Sequence, residues 1–459
     1  MMLLLLAMPF AIASPPSAAE CSVCVAVVTA IDRFAENSTS IAALTAILDA
    51  DCHKLFPSSP KLATGCESLA NASLKLLPSI ASGLNSVAWD ATALCAGLGA
   101  CDVPCCDGAH PTAPEQIHLA LSGDAMGSMS VSWATLNDVT GASVQYGVSP
   151  SALSASAPAL NSTYTTFSWR GVLYTATMSS LKASTTYYYR VGNDSSGWSA
   201  TLTFNTLAAN AGSDASPLRI AMVADMGYGN LSDGSVARLT ALAESGSIDL
   251  VLHNGDVGYA DGDMKHWDVF MRKIAPIASR VPYMTSPGNH EFLFNFTAYK
   301  HRFAMPTKDE PFGMFYDLSF NAGQLHIVMM DTESKIDIAA MSAPQVEWLE
   351  RRLAPPLVGS SPASSGSTAS SAPRWTIALG HRPLYCSQTH GSDIPGGNEL
   401  LRARVEGILN AGGVDLVVQG HVHDYERSLP VKDGQPTATN YSGHFTAPVY
   451  VVNGAAGNR

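Results

Sequence analysis

Five loops between residues 225 and 423 share one feature: each contains glycine and carries side chains that can bind a metal ion. In chain order they read Asp225-Met-Gly227, Gly255-Asp-Val-Gly-Tyr259, Gly288-Asn-His-Glu291, Gly380-His-Arg-Pro383 and Gly420-His-Val-His423. One such loop means little, because a lone Asp-x-Gly is usually a turn and a lone Gly-His is often an ordinary loop histidine. Five in succession, with glycines that let the backbone approach a metal, predict a metal site built at strand ends.

Buried strands alternate with amphipathic helices over residues 216–459, which predicts an α/β domain, a layered β-sandwich flanked by helices. The predicted strands are Ile220–Ala224, Leu250–Leu252, Ile327–Met330, Trp375–Leu379, Leu416–Val418 and Val449–Val452, and the predicted helices are Gln345–Leu353 and Asn398–Leu409. Residues 359–372 are rich in Ser, Ala and Gly and are interpreted as a flexible surface insertion. The chain ends soon after the last predicted strand, so we expect this domain to lack a C-terminal segment.

The residue types in the five loops suit two metal ions. Asp256 can bridge, because a carboxylate can donate to both ions. His421 and His423 are two residues apart and project similarly from an extended chain, so they can divide between two metals. His381 and Asn289 supply neutral donors, whereas Asp225 and Tyr259 supply anionic oxygen.

The segment before this domain has the period-two pattern of a β-sandwich. Strand-like stretches rich in Thr, Tyr and Val are separated by Gly, Asn and Ser between residues 115 and 208. The Tyr-rich stretch that ends at Val191 and Gly192 resembles a fibronectin type III module. No polar residues here form a catalytic set, so a structural role is expected. Residues 107–114 are predicted to be a linker.

The N-terminus carries signs of secretion. Residues 1–19 read as a signal peptide, because an apolar stretch begins at Leu3 and small residues follow it. Glycosylation acceptors of the Asn-x-Ser/Thr type occur at Asn37, Asn71, Asn161, Asn193, Asn230, Asn295 and Asn440. The expected location is extracellular, or a vacuole or lysosome reached through the secretory pathway.

Eight of the nine cysteines fall between Cys21 and Cys106, a density typical of a disulfide-stapled module. Helical periodicity accompanies them, and their spacing does not form a matched set of zinc knuckles. Residues 20–106 resemble the saposin B fold, an all-α domain of stapled helical hairpins. The resemblance implies the pairs Cys21–Cys101, Cys24–Cys95 and Cys52–Cys66, and it leaves Cys105 and Cys106 unassigned.

The net charge of −12 and the absence of a basic run argue against a nucleic-acid partner. The saposin-like resemblance makes a lipid or membrane surface a candidate partner instead, and a homodimer stays open.

The five loops resemble those of the calcineurin-like metallophosphoesterases, and Tyr259 is similar to a residue of the purple acid phosphatases within them. The resemblance covers residue 115 to the end, including the fibronectin-like module. It implies that Asp225, Tyr259 and His423 bind Fe(III) and that Asp256 bridges. It further implies that Asn289, His381 and His421 bind a divalent ion (zinc, iron or manganese).

The same resemblance implies a secreted acid phosphatase that hydrolyses phosphomonoesters by attack of a metal-bound hydroxide. His290 would bind the phosphate, and His390 would protonate the leaving group. Relatives in plants often have a second histidine after the residue that matches His390, whereas Gly391 stands here.

Two alternatives are carried forward. The first is a phospholipid phosphodiesterase that resembles acid sphingomyelinase, which also joins a saposin domain to a metallophosphoesterase. Tyr259 and the fibronectin-like module argue against it. The second is a lipid-binding protein with an inactive catalytic domain, although no metal ligand is visibly missing.

Overall fold

The computed structural model of the chain describes residues 103–106, 108–122, 127–166, 169–334, 341–354, 375–388, 396–442 and 445–457. The predicted signal peptide, residues 20–102 of the predicted saposin-like domain with its three disulfides, Asn37 and Asn71 lie outside the described residues. So do the Ser/Ala/Gly-rich insertion and His390. Within the described ranges, no helix is long and apolar enough to cross a membrane.

The described residues form strands β1 to β21 and helices α1 to α5. The strands are β1 (Val103–Pro104), β2 (Glu115–Leu121), β3 (Met129–Thr135), β4 (Ser143–Gly147), β5 (Ala155–Pro158), β6 (Leu160–Ser162), β7 (Trp169–Arg170), β8 (Val172–Met178), β9 (Thr186–Asn193), β10 (Gly197–Trp198), β11 (Leu202–Asn205), β12 (Ile220–Val223), β13 (Leu250–Asn254), β14 (Tyr283–Ser286), β15 (Tyr316–Phe320), β16 (Leu325–Met329), β17 (Trp375–Leu379), β18 (Leu416–Gln419), β19 (Glu426–Lys432), β20 (Gln435–Pro436) and β21 (Val449–Val452). The helices are α1 (Asp233–Glu244), α2 (Met264–Ala278), α3 (Thr297–Arg302), α4 (Ala343–Leu353) and α5 (Glu399–Ala411), with short 3-10 turns at Asn230–Ser232, Asn289–Glu291 and Asn321–Gly323.

The chain divides into two compact units. The smaller one comprises the described residues of Met1–Cys105, Tyr164–Arg170 and Asp261–Lys265, and in it β1 pairs with β7 in parallel. Cys105 and Cys106, which the sequence left unassigned, are both disulfide-bonded. The larger unit contains the β-rich domain and the α/β domain.

The β-rich domain of the larger unit consists of two antiparallel sheets. One has the order β2-β3-β8-β6, and the other has the order β10-β9-β4-β5 with β11 also paired to β9. Along β4 the side chains of Val144 and Tyr146 are buried, whereas those of Ser143 and Gln145 are partly exposed. This alternation is the period-two pattern that predicted strands here, and it packs one face of the sheet into the core.

The α/β domain holds a parallel sheet of order β12-β13-β14 and a second sheet of order β15-β16-β17-β18-β21-β19-β20. Strands β16, β17, β18 and β21 run parallel to one another. All five residues of β13 are buried, as expected of a parallel strand covered on both faces. Carboxyl ends of parallel strands meet at one edge, so each sheet presents its loops along one edge.

The predicted strands and helices of this domain are confirmed, and every end agrees with the structure within two residues. Asn398 proved to be a cap and not a helical residue, because its side chain accepts a 2.9 Å hydrogen bond from the Leu401 amide. Strand β14 was not among the predicted apolar runs, since Tyr-Met-Thr-Ser between two prolines lacks that pattern. It nevertheless carries the third metal-ligand loop.

A buried polar cluster joins the β-rich domain to the α/β domain within the larger unit. The Arg302 guanidinium donates to Asp268 Oδ1 at 2.9 Å and to Gln116 Oε1 at 3.0 Å, and Gln116 Nε2 donates to the same Asp268 oxygen at 3.1 Å. His118 Nε2 lies 2.8 Å from the Arg302 carbonyl oxygen. We call these four residues the interdomain cluster.

Candidate metal centre

The strand order of the two sheets brings the predicted ligands to neighbouring loops. Asp225 follows β12, Asp256 and Tyr259 follow β13, and Asn289 follows β14. In the second sheet His381 follows β17, and the segment with His421 and His423 follows β18. Contacts between these side chains, given below, show that the loops of the two sheets face each other.

Several of the ligand-bearing residues have a left-handed backbone. The φ angles are +61° at Asp225, +47° at Asp256, +48° at Tyr259 and +70° at His421. Such angles cost a non-glycine residue about 1–2 kcal/mol. Strain of this kind persists only where the surrounding structure enforces it, and it concentrates at functional sites.

A first group of side chains is formed by Asp225, Tyr259 and His423. The Tyr259 hydroxyl lies 2.8 Å from Asp225 Oδ1 and 2.8 Å from His423 Nε2. His423 Nε2 is also 3.4 Å from Asp225 Oδ1. One carboxylate oxygen, one phenolic oxygen and one imidazole nitrogen therefore converge on one point.

A second group is formed by Asn289, His381 and His421. Asn289 Oδ1 lies 3.1 Å from His381 Nε2 and 2.9 Å from His421 Nδ1. Ligand atoms of Asp256, His381 and His421 all lie within 4.8 Å of one another. This group thus offers one amide oxygen, two imidazole nitrogens and a carboxylate.

Asp256 stands between the two groups. Its Oδ2 lies 3.2 Å from His381 Nε2 in the second group. In the first group the pKa of the Tyr259 hydroxyl is raised above its usual range by burial, then by the negative charge of Asp256, and then by Asp225. The carboxylate therefore acts on donor atoms of both groups, as a bridging ligand must.

The surroundings of the His381 ring show that a cation fits here. Its Nδ1 lies 3.3 Å from the Asn254 carbonyl oxygen, while its Nε2 faces Asn289 Oδ1 and Asp256 Oδ2. Burial alone would lower the pKa of His381, but the carboxylates of Asp256 and Asp225 outweigh it and raise that pKa to about 10. A metal ion on Nε2 would supply the positive charge that a proton supplies otherwise, so the donor set fits a metal.

Two glycines allow these loops to approach so closely. A Cβ at Gly255, whose φ is +94°, would overlap the His381 ring. A Cβ at Gly288 would overlap the Asp256 carboxylate and backbone amide. Any larger residue at either position would displace a predicted ligand.

His290, predicted to bind phosphate, lies beside the ligands with a ring that is partly exposed. Its ring centroid is 4.2 Å from that of Tyr259, and its Nε2 is 3.8 Å from Asp256 Oδ2. The side chain is 29% exposed, so its outer edge is accessible from solvent.

Glu291 is the last residue of the third metal-ligand loop, and the sequence alone predicts no role for it. Its Oε1 accepts hydrogen bonds from the Val257 and Gly258 amides at 3.0 and 3.3 Å, and its Oε2 accepts from the Gly288 amide at 2.9 Å. This buried carboxylate therefore ties the loop after β13 to the loop after β14. Burial, followed by the charge of Asp256, raises its pKa to about 7.

A further set of residues missed from the sequence supports the His381 loop. Thr332 Oγ1 accepts from the His381 and Arg382 amides at 3.2 and 3.1 Å. Arg382 Nε is paired with Glu333 at 2.9 Å, and both side chains are buried. The run Asp-Thr-Glu after the predicted strand at Ile327–Met330 was the available signal, because polar residues cluster at this edge of the sheet.

The arrangement of sheets and loops agrees with the family models that the sequence matches. Residues 218–425 match the family model of the calcineurin-like phosphoesterases, and residues 114–206 match that of the N-terminal domain of purple acid phosphatases.

Comparison with individual proteins identifies a narrower family within the calcineurin-like phosphoesterases. The chain is 34% identical to acid phosphatase type 7 of Homo sapiens in an alignment of 372 positions that covers 76% of this chain and 79% of the relative. It is 31% identical to purple acid phosphatase 15 of Arabidopsis thaliana in an alignment of 400 positions that covers 75% of this chain and 68% of that protein. Among solved structures, purple acid phosphatase PPD1 from yellow lupin seeds superposes with a TM-score of 0.62 at 25% identity, covering 76% of this chain and 66% of that protein.

The chain therefore belongs to the purple acid phosphatase family of hydrolases. Membership implies a dinuclear metal centre, and the two groups of donors around Asp256 fit one.

Proposed function

We propose that the protein hydrolyses phosphomonoesters at acidic pH with a centre of one Fe(III) and one divalent ion (zinc, iron or manganese). The observation that carries this proposal is the position of the Tyr259 hydroxyl, 2.8 Å from both Asp225 and His423. A phenol ionises near pH 10 in water, and burial raises the pKa of Tyr259 further. A phenolate ligand at acid pH therefore requires a strongly acidic ion, and Fe(III) is such an ion.

The two donor groups divide the ions between them. Asp225, Tyr259 and His423 would hold Fe(III), while Asn289, His381 and His421 would hold the divalent ion, with Asp256 donating to both. Metals held in this way supply Lewis acidity towards a phosphoryl oxygen and a nucleophilic water. Before any metal binds, His381 and His290 outweigh the burial of Asp256 and hold its pKa well below the usual range, so the carboxylate is already anionic.

His290 would orient the substrate. Its partly exposed ring lies against Tyr259 and close to Asp256, so an outward ring N–H can donate to a phosphoryl oxygen beside the metals. Proton donation to the leaving group by His390 remains a prediction from the sequence resemblance, since His390 lies outside the described residues.

The colour of the purified protein tests the metal assignment. Phenolate bound to Fe(III) should give a purple to pink charge-transfer band, and Tyr259→Phe should abolish the band while the protein stays folded. Iron content measured on the same samples separates loss of the ligand from loss of the ion. A colourless, iron-free parent with full activity would overturn the Fe(III) assignment.

Substrate preference separates this proposal from a phospholipid phosphodiesterase. We expect an aryl phosphomonoester to be hydrolysed in preference to the matching bis-aryl phosphate and to sphingomyelin, with an acidic optimum. Preference for either diester would support the sphingomyelinase-like alternative. No hydrolysis of any of them by metal-replete protein would favour the inactive, lipid-binding alternative.

The sequence supports two proposals for the remainder of the chain. Residues 1–19 would direct it to the secretory pathway, and Asn161, Asn230, Asn295 and Asn440 are exposed in the structure and so accessible to glycosylation. Residues 20–106 would bring the enzyme to lipid surfaces at low pH, where protonated carboxylates no longer repel anionic lipid. Co-sedimentation of the intact and 20–106-deleted proteins with anionic liposomes tests this, and no binding by the intact protein at low pH would contradict it.

A further inference from the structure

Two asparagine side chains, Asn254 and Asn453, bond to each other beside the loop that carries His381. Asn254 Nδ2 donates to Asn453 Oδ1 at 3.2 Å, and Asn453 Nδ2 donates back to Asn254 Oδ1 at 3.3 Å. Asn254 is fully buried at the end of β13, and Asn453 directly follows β21 in the other sheet. The pair is therefore a direct polar link between the two sheets of the α/β domain.

Asn254 also holds the His381 loop at two points. Its Nδ2 donates to the Gly380 carbonyl oxygen at 3.1 Å, and its own carbonyl oxygen lies 3.3 Å from His381 Nδ1. A hydrogen bond from Nδ1 to this carbonyl fixes the tautomer in which Nε2 carries the lone pair. That lone pair then faces Asn289 and Asp256, the direction required of a metal ligand.

Asn453 reaches the loop that carries His421. Its backbone amide donates to the Gln419 carbonyl oxygen at 2.7 Å, two residues before His421. The next residue, Gly454, packs so tightly that a Cβ there would overlap the Val422 carbonyl oxygen and Asp225 Oδ2. A shift of Asn453 would therefore also shift the segment from His421 to His423.

We propose that the Asn254–Asn453 pair is a positioning device for the divalent half of the metal centre. It sets the spacing of the ends of β13, β17 and β21, and through that spacing the approach of His381 to His421. This role rests on the proposed function, because it assumes that His381 and His421 bind a divalent ion. Each side-chain amide both donates and accepts in this pair, so aspartate or an apolar residue cannot reproduce the reciprocal bonds.

The test compares Asn254→Ala and Asn453→Ala with Tyr189→Phe. The control also removes a buried hydrogen bond, from the Tyr189 hydroxyl to the Ser279 carbonyl oxygen at 2.7 Å, but between the β-rich domain and the α/β domain. Measurements are divalent-metal affinity by titration of the metal-depleted protein, loss of metal to a chelator, visible absorption, melting temperature, kcat and KM.

We expect each asparagine variant to weaken divalent-metal affinity by about 10-fold, the lower end of what removal of a direct partner of a metal ligand does. Alanine keeps the Asn254 carbonyl that bonds His381 and removes only the side-chain bonds that set the spacing of the loops. The Tyr259 absorption band should persist, kcat should fall with little change in KM, and excess divalent metal should restore part of the rate. The double variant should lose no more than Asn254→Ala alone, because the residues act as one unit. If Asn254→Ala does not fold, the half-buried Asn453 carries the test.

Metal affinities in both variants equal to that of Tyr189→Phe would overturn the proposal and leave the pair a merely structural contact. Additive losses in the double variant would overturn the pairing. Failure of the proposed function would be seen separately, in the parent protein, as absence of iron, colour and phosphatase activity. The titration of divalent-metal affinity does not depend on iron, colour or phosphatase activity, so the two failures can be distinguished.

Discussion

The larger unit buries two polar groups of residues, the metal centre and the interdomain cluster, and they differ in how their charges are balanced. In the interdomain cluster Arg302 neutralises Asp268, and Gln116 bonds to both. At the metal centre Asp225 and Asp256 face histidines, an asparagine and a tyrosine, whose donor atoms point at one another. The first arrangement is complete by itself, whereas the second is balanced only by protons or by metal ions.

This contrast distinguishes a structural group from a functional one. Both are buried and both cross between elements distant in sequence, so burial and polarity alone do not separate them. What separates them is the shortage of positive charge at the metal centre. Left-handed backbone occurs in both groups, at Gln116 as well as at Asp225, Asp256, Tyr259 and His421. The interdomain cluster should therefore respond to mutation through stability, and the metal centre through metal content and activity.

Asp256→Asn should have the largest effect. It removes the charge shared by both donor groups. We expect kcat/KM to fall by about 10³-fold or more and the bound metal to be lost. The asparagine can still accept the His290 amide bond, so the metal-free variant should still fold, although it loses the charge pairing of Asp256 with His381. Elemental analysis, kinetics and urea unfolding check these points. A variant that retains both metals would show that Asp256 does not bridge.

Arg302→Met should have the opposite effect: it should lower the stability of the protein and leave the metal content unchanged. Asp268 would lose the guanidinium that neutralises it and keep only the amide of Gln116, and we expect a loss of about 3–5 kcal/mol in the free energy of unfolding. Metal content per folded molecule should not change. Adding Asp268→Leu should recover part of the stability, because the stranded charge is then gone. Loss of metal from folded Arg302→Met would contradict the separation of the two groups.

The sequence predicted the metal ligands of the α/β domain better than it predicted the residues and strands that hold those ligands in place. Loops with glycine and a ligand residue are short local patterns, so Asp225, Tyr259 and His423 could be proposed without knowing the sheet order. Strand β14 was missed because Tyr283–Ser286 is only partly apolar, although it is fully buried. Burial of such a strand depends on neighbours that are far away in sequence.

The supporting residues could not be predicted, because their roles arise from pairing across the fold. Asn254 and Asn453 are 199 residues apart, and Thr332 reaches a loop 49 residues later. Arg302 and Gln116 are separated by 186 residues and lie in different domains. No local periodicity marks such pairs. Their signal in the sequence is a polar residue at the end of a buried strand, which indicates a site but not a partner.

The smallest effect is expected at the rim of the contact between the β-rich and α/β domains, where Arg272 Nε lies 2.7 Å from Glu115 Oε2. The Arg272 side chain is 43% exposed, so water and salt screen the pair and both side chains lose rotamer freedom to form it. Arg272→Ala should therefore lower the free energy of unfolding by about 0–1 kcal/mol, and less at high salt. Urea unfolding at low and high ionic strength measures this, with Glu115→Gln as the matched variant from the other side. A loss as large as that of Arg302→Met would mean that the rim, and not the buried centre, holds the two domains together.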